Sequence, residues 1–263
     1  MIPEAAGKIA YGIDLDGKNK PSDFTSPSGK TGIDNQLYRA IGCIPNYRTG
    51  ASVLEFQKIF FSKNLVNRIL IELTDVDSLV NDDDVTVTTY RGNDALMSGA
   101  TGNDFIAGGT QQLDLRWGKE FIHKAKGKIV NGTLITDALE FLVPMELPHQ
   151  DGAVFWLRDA RFELSLTPQL AHGVIGGYAD IDTIYRARNR QWSPHHLSYG
   201  QESSAAVYQS MKRLADAYPD PVTGKNTAIS SAFDVNFVQV HVVRDGDLTA
   251  TIPASTRAAL NTH

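Results

Sequence analysis

The chain has a single cysteine, Cys43, among its 263 residues. An intrachain disulfide is therefore excluded, and a lone cysteine is more often a small buried hydrophobic residue than a reactive thiol. The sequence also lacks an uninterrupted apolar run of the roughly 18 residues that a membrane-spanning helix needs. No transmembrane helix is predicted.

The sequence also has no excess of positive charge. The formal net charge is -5 and the sequence pI is about 5.8, with no stripe of Lys and Arg. Nucleic acids and anionic membrane surfaces attract basic surfaces, so neither is an expected partner. The overall composition, 42% hydrophobic and 21% charged, is typical of a globular protein. A single domain over residues 1–263 is predicted.

Short catalytic motifs are absent from the sequence. It contains no G-x-S-x-G, H-E-x-x-H or C-x-x-C pattern, so neither a nucleophile elbow nor a zinc-protease helix is predicted. Paired carboxylates that cleave glycosides meet in space and leave no such pattern. Glu72, Glu140 and Glu163 lie on predicted strands, but alternation places Glu72 and Glu163 on the polar, outward side.

What the sequence does contain is alternation of apolar and polar residues. Residues 69–73 and 85–89 alternate on either side of an acidic segment, which predicts a strand–loop–strand pair. Residues 162–166 alternate in the same way. Asn131-Gly132 stands between two apolar runs and predicts a tight hairpin, because both residues tolerate positive φ. Residues 52–61 also have the character of a strand. Together these signals predict a mostly β protein, an antiparallel β-sandwich of jelly-roll-like type.

Two regions depart from the strand pattern. Residues 14–35 are rich in Gly, Pro and Asp and predict a long N-terminal loop. Residues from about 178 to 220 predict a helical insert, and therefore a C-terminal helical elaboration of the sandwich. Its clearest helix has a start signal at Ser203 or Ser204 and stop signals at Pro219 and Pro221. The apolar stripe of that helix comprises Val207, Met211, Leu214 and Tyr218.

The triplet Gly-Asn-Asp occurs twice, at residues 92–94 and 102–104. It resembles the calcium-binding glycine- and aspartate-rich repeats of secreted bacterial proteins, in which stacked turns share each ion. The two copies are ten residues apart, whereas the repeat requires nine, and two copies are too few for a stable coil. The segment is therefore predicted to be a turn-rich loop, with a single loop-bound ion as the alternative.

Acidic clusters elsewhere offer calcium a different site. Asp14, Asp16 and Asp23 form one cluster, but the segment departs from an EF-hand because Lys18 replaces the third ligand and the Gly comes too early. A second cluster lies between the first two alternating strands, where a cation would relieve the mutual repulsion of the carboxylates. Its members are Asp75, Asp77, Asp82, Asp83 and Asp84. Solvated loops and one structural calcium are the competing interpretations of both clusters.

Candidate catalytic and ligand-binding groups lie near residue 195. His195 and His196 follow a proline in an irregular segment, where both can serve as metal ligands or bases, with His149 or His172 as a third ligand. Trp192 and Tyr199 flank the pair and can contact a ligand. The alternative is an ordinary hydrogen-bonded histidine pair on the surface.

Two functions therefore follow from the sequence. The first is an extracytoplasmic binding module for a glycan or small ligand, with a loop-stabilising calcium. The second is a metal-assisted hydrolase or lyase on the same scaffold that uses His195 and His196. A periplasmic or secreted location is expected from the Gly- and Asp-rich turns and from the start of the chain, which has the look of a mature chain given a new methionine.

Overall fold

The computed structural model describes residues 2–44, 68–101, 104–115, 119–144, 154–191 and 203–244. The helices are α1 (Gln36–Ile41), α2 (Ile181–Gln191) and α3 (Ser204–Leu214). The strands are β1 (Arg68–Thr74), β2 (Asp82–Gly92), β3 (Gly109–Gln112), β4 (His123–Val130), β5 (Thr133–Thr136), β6 (Leu139–Pro144), β7 (Val154–Leu166), β8 (Leu170–Asp180), β9 (Ala217–Pro219), β10 (Asn226–Val238) and β11 (Val240–Val243). The strand predicted at 52–61 lies outside the described residues.

Nine of these strands form one antiparallel sheet. Its order is β1-β2-β4-β5-β7-β8-β10-β9, with β6 paired to β7, while β11 and β3 form a separate parallel pair. The predicted mostly β, antiparallel architecture with a C-terminal helical elaboration is confirmed. Strands that are neighbours in the sheet mostly follow one another along the chain, so the connectivity is more local than the Greek keys of a jelly roll.

The two hairpins predicted from the sequence are present. β1 and β2 pair in register from Arg68↔Gly92 to Thr74↔Thr86, and Val85 and Val87 of β2 are fully buried. β4 and β5 are joined by Asn131 and Gly132, whose φ angles are 50° and 78°. Positive φ at both turn positions matches the right-handed twist of the flanking strands, which is why Asn-Gly marks this turn.

Two strands pair with the same edge of the long strand β7. β6 pairs with its first half and β5 with its second half. Phe162 and Leu164 are buried while Arg161 and Glu163 face outward, as the alternation predicts. A bulge between Arg158 and Arg161 shifts the register with β8, so alternation resumes with Ala160 and Phe162 inside.

The main core joins the sheet to the helices. Its fully buried side chains come from α1, β2, β4, β5, β7, β8, α2, α3 and β10, and include Val87, Ile129, Leu134, Leu157, Ile181, Met211 and Ile229. α1 and α3 contact each other and β10, while α2 packs against β7 and α3. Cys43 is half-buried beyond α1, and its thiol lies 3.4 Å from the carbonyl oxygen of Glu4.

Helix α3 begins where the sequence predicts and ends earlier. Ser203 is the N-cap, and its side chain accepts a hydrogen bond from the amide of Ala206. The expected end near Pro219 is wrong, because the helix stops at Leu214 and the chain turns into β9. Asp216 explains the early end, since its carboxylate accepts bonds from the amide and hydroxyl groups of Ser230 on β10.

The N-terminal segment at 14–35 is a loop, but an ordered one. Isolated bridges tie Ile13 to Asp34 and Phe24 to Ile33. The guanidinium of Arg161 donates to two of its backbone carbonyls, at 3.0 and 3.2 Å. Phe24 and Ile33 are almost fully buried in a small separate core with Ala10. The segment therefore covers the outer side of the sheet.

Candidate functional site

A cavity of about 490 Å³ lies between β1 and the junction of β10 with β11. The turn that connects β7 and β8 forms another wall. The lining is predominantly aliphatic, and its members include Ile69, Ile71, Leu73, Leu134, Leu164 and Leu166. Cavities of this size and composition are typical sites for small molecules.

The position of β1 explains why this space exists. β1 is the last strand of the nine-stranded sheet, and among the described strands it pairs only with β2. Its residues 69–73 line the cavity together with residues 238–242, which belong to the other end of the described chain. Two segments far apart in sequence thus face each other across a half-open cavity whose lining is mostly aliphatic side chains with several polar ones among them.

A polar group of three side chains lies at the cavity. Glu72 and Arg244, both lining residues, form an ion pair between Glu72 Oε1 and Arg244 Nη2. The hydroxyl of Tyr90 donates to Glu72 Oε2 at 2.8 Å. The side chain of Arg244 is 48% exposed and that of Glu72 only 22%. Gln239 and His241 add further polar groups to the lining.

These contacts fix the charge states of the group. Partial burial opposes ionisation of Glu72, but the hydrogen bonds from Arg244 and Tyr90 outweigh it and lower the pKa of the carboxyl. Burial, followed by the hydrogen bond to Glu72, raises the pKa of Tyr90. The pKa of Arg244 is also raised by its bond to Glu72. At neutral pH the group is a carboxylate, a neutral phenol and a guanidinium.

The histidine and aromatic sites predicted near residue 195 lie outside the described residues. This applies to His195, His196, Trp192 and Tyr199. Of the two proposed third ligands, His149 is also outside, whereas His172 lies on β8. The ring of His172 is exposed and its Nε2 lies 3.0 Å from a carboxylate oxygen of Asp234. The metal or catalytic role of the histidine pair stays a prediction.

Three carboxylates of the N-terminal loop come together. Asp14, Asp16 and Asp34 each offer an oxygen within 4.8 Å of the others. Asp34 is 2% exposed and accepts a hydrogen bond from the amide of Leu15 at 2.8 Å. Burial, with added repulsion from Asp16, raises its pKa to about 6. Lys20 forms an ion pair with Asp16 and so already supplies one cation to this group.

The carboxylates of the second predicted cluster, between β1 and β2, bond to groups of the protein itself. The carboxylate of Asp82 accepts backbone amides from Asp77, Ser78 and Asp84, so it organises the turn between β1 and β2. Asp75 accepts a bond from Thr86, and Asp84 pairs with Lys126 at 2.7 Å. Asp83 is exposed. None of these belongs to the three-carboxylate group, and calcium at either cluster stays a prediction.

The Gly-Asn-Asp segment forms a loop in its described part. Asp94 follows β2, and its carboxylate accepts the amide of Gln112 on β3 at 2.6 Å. Ser98 and Phe105 form an isolated bridge across the loop. The second triplet is described only at Asp104. The carboxylate of the first triplet is thus engaged in holding β3 against the end of β2.

A cluster of aromatic residues around Arg158 was missed by the sequence analysis. The guanidinium lies 3.9 Å from the ring centroid of Trp156 and 4.7 Å from that of Tyr218, and it pairs with Asp180 at 2.7 Å. The Tyr218 hydroxyl donates to Asp159 at 2.6 Å, and both residues have positive φ. The cluster joins residues of β7, β8 and β9, and Asp159, in the bulge of β7, bonds to it from its edge.

Comparison of the chain with protein-family models, with curated proteins and with solved structures gives no match. Among the described helices, none is long and apolar enough to cross a membrane.

Proposed function

We propose that this protein is a binding module whose cavity takes a small, predominantly apolar ligand. The observation that carries the proposal is the aliphatic cavity of about 490 Å³, which falls in the range of roughly 300–1,000 Å³ for small-molecule sites. A few polar groups at one place in an otherwise apolar lining are the usual means of orienting such a ligand. Glu72 and Arg244 supply such polar groups in the lining, and Tyr90, outside the lining, donates a hydrogen bond to Glu72.

The lining favours an apolar ligand over a glycan. Sugar rings are commonly bound against flat aromatic side chains. Phe237 is the aromatic residue of the lining, and the other apolar side chains are aliphatic. The hydrophobic effect contributes about 25 cal/mol for each Å² of apolar ligand surface removed from water, which makes hydrocarbon the natural occupant.

The proposal also includes the location of the protein and a bound calcium ion. An extracytoplasmic location accompanies the binding role, as expected from the sequence. The loop-stabilising calcium belongs to the same proposal, with Asp14, Asp16 and Asp34 as its ligands. The alternative, a metal-assisted hydrolase or lyase using His195 and His196, stays a prediction.

Calorimetric titration with 1-decanol tests the proposal. We expect saturable binding to the wild type and at least a tenfold loss of affinity in Ala171→Trp, because an indole at this lining position fills part of the cavity. Val222→Trp is the matched control, since Val222 is 91% exposed in a turn remote from the lining. Absence of saturable binding to the wild type, or equal binding by both variants, would overturn the proposal.

A further inference from the structure

We propose that the ligand of this cavity is an uncharged aliphatic compound, such as an alcohol, and that the Glu72–Arg244 ion pair selects against charged end groups. This inference rests on the proposed function, since it narrows the chemical class that the cavity takes. It follows from the bonds that the polar side chains of the lining already make.

The carboxylate and the guanidinium of the lining neutralise each other. Glu72 Oε1 accepts a hydrogen bond from Arg244, and Glu72 Oε2 accepts one from the hydroxyl of Tyr90 at 2.8 Å. Arg244 also bonds to Tyr90 and makes a further contact of its own. The pair can border a neutral polar group, but both of its charges are already engaged within the protein.

An anionic end group would lie against a carboxylate. A ligand carboxylate that approached Arg244 would be attracted by the guanidinium and repelled by Glu72, so the two effects largely cancel. Only 22% of the Glu72 side chain is exposed, which limits the screening of its charge by water. The hydration that the ligand anion loses would therefore not be replaced.

A cationic end group meets the opposite difficulty. An ammonium group at Glu72 would have to displace a donor, either Arg244 or Tyr90. It would then lie beside the guanidinium, whose positive charge repels it. A charge brought into mostly apolar surroundings without a partner of its own loses hydration free energy. The ion pair therefore disfavours charged ligands of either sign.

A neutral polar end group can instead use the side-chain amide of Gln239. The backbone groups of this lining residue are bonded within the protein, to Gln169 and Gly108. Within the described part of the chain, its side chain has no hydrogen bond. An amide both donates and accepts, so it can bond to a hydroxyl without any counter-charge. The hydrocarbon of the same ligand then covers the aliphatic lining.

Three ligands of equal chain length test this inference: 1-decanol, decanoate and decylamine. Each is titrated below its solubility limit into the full chain at pH 8, where the acid and the amine are ionised. We expect decanol to bind at least about tenfold more tightly than either ion, because the ions lose hydration that no partner in the cavity replaces.

A charge-removing variant tests the role assigned to Glu72. Glu72→Gln keeps the shape of the side chain and removes the carboxylate that repels an anion. The ratio of decanoate affinity to decanol affinity should rise at least about fivefold in this variant. Glu163→Gln is the matched control, since Glu163 faces outward on β7 and pairs with Lys30, and it should leave the ratio within about twofold of the wild-type value.

The outcomes separate the two proposals. If decanoate or decylamine binds the wild type as tightly as decanol does, the inference is overturned and the cavity proposal stands. An unchanged ratio in Glu72→Gln also overturns it, whereas no binding of any of the three ligands overturns both proposals. The wild-type comparison needs no variant, so the inference can fail even if Glu72→Gln does not fold.

Discussion

At the residue scale, the turn between β4 and β5 requires positive φ at two consecutive residues, Asn131 and Gly132. Gly132 has φ of 78°, and a Cβ there would meet only one carbonyl oxygen, at 3.9 Å. Gly132→Ala should therefore cost about 1–2 kcal/mol of unfolding free energy through backbone strain alone. Urea unfolding measures it, with Asn131→Gly as the control that relieves rather than adds strain. Equal stability of Gly132→Ala and the wild type would contradict the assigned turn.

A buried ion pair joins the end of β2 to the segment that follows β3. Arg91 and Asp114 lie 3.0 Å apart, with each side chain only 1% exposed. Asp114→Ala should lower the unfolding free energy by about 3–5 kcal/mol, because it leaves a buried guanidinium without its carboxylate. Asp84→Ala, which breaks a pair in which Asp84 is 77% exposed, should have little effect. Similar losses in urea unfolding for the two variants would contradict this assignment.

Asp34 should make stability depend on pH. Its pKa is raised from 3.8 to about 6 by burial, so the folded state holds the proton more tightly than the unfolded state does. The stabilisation is complete below about pH 4 and is lost as pH rises through about 6. The melting temperature of Asp34→Asn, relative to that of the wild type, should therefore rise between pH 5 and pH 7.5. A constant difference between the two proteins would contradict the raised pKa.

The same variant tests the calcium prediction. If Asp14, Asp16 and Asp34 bind calcium, adding the ion at pH 7.5 should raise the melting temperature of the wild type and a chelator should reverse the gain. Asp34→Asn should respond less. If the melting temperature of the wild type changes neither with calcium nor with the chelator, these three carboxylates do not bind calcium.

At the element scale, α3 depends on its N-cap, Ser203. Ser203→Ala should cost about 1 kcal/mol, because the amide of Ala206 loses its side-chain acceptor. Ser203→Asp restores an acceptor and should recover the loss. Thermal unfolding of the three proteins measures both effects. An equal loss in the Ala and Asp variants would show that Ser203 acts through something other than capping.

The features that the sequence predicts are those that depend on residues close together along the chain. The alternation of 85–89 and 162–166, the Asn131-Gly132 turn and the start of α3 depend on near neighbours, so they are visible in the sequence. The end of α3 is not, because Asp216 is held by Ser230 on another strand. The bulge in β7 and the aromatic cluster around Arg158 were missed for the same reason, since both depend on contacts between separate strands.

At the scale of the whole molecule, the antiparallel sheet was predictable and the cavity was not. Regularly spaced strands with turns between them indicate an antiparallel β protein. They do not show which strands pair at the two ends of the sheet. The cavity requires β1 and residues 238–242 to face each other, which no local pattern shows. The alternation of Ile69, Ile71 and Leu73 predicts one apolar side of a strand. It does not indicate whether a side chain of the protein or a ligand covers that side.

A methyl NMR titration with 1-decanol shows most directly whether the cavity binds an apolar ligand. Chemical-shift changes should be concentrated at methyl groups of the lining, including those of Ile71, Leu166 and Val242. Methyl groups of the helical side of the core, such as those of Val207 and Met211, should stay unchanged. Shifts confined to residues outside the lining, or none at saturating ligand, would contradict the claim that this cavity binds an apolar ligand.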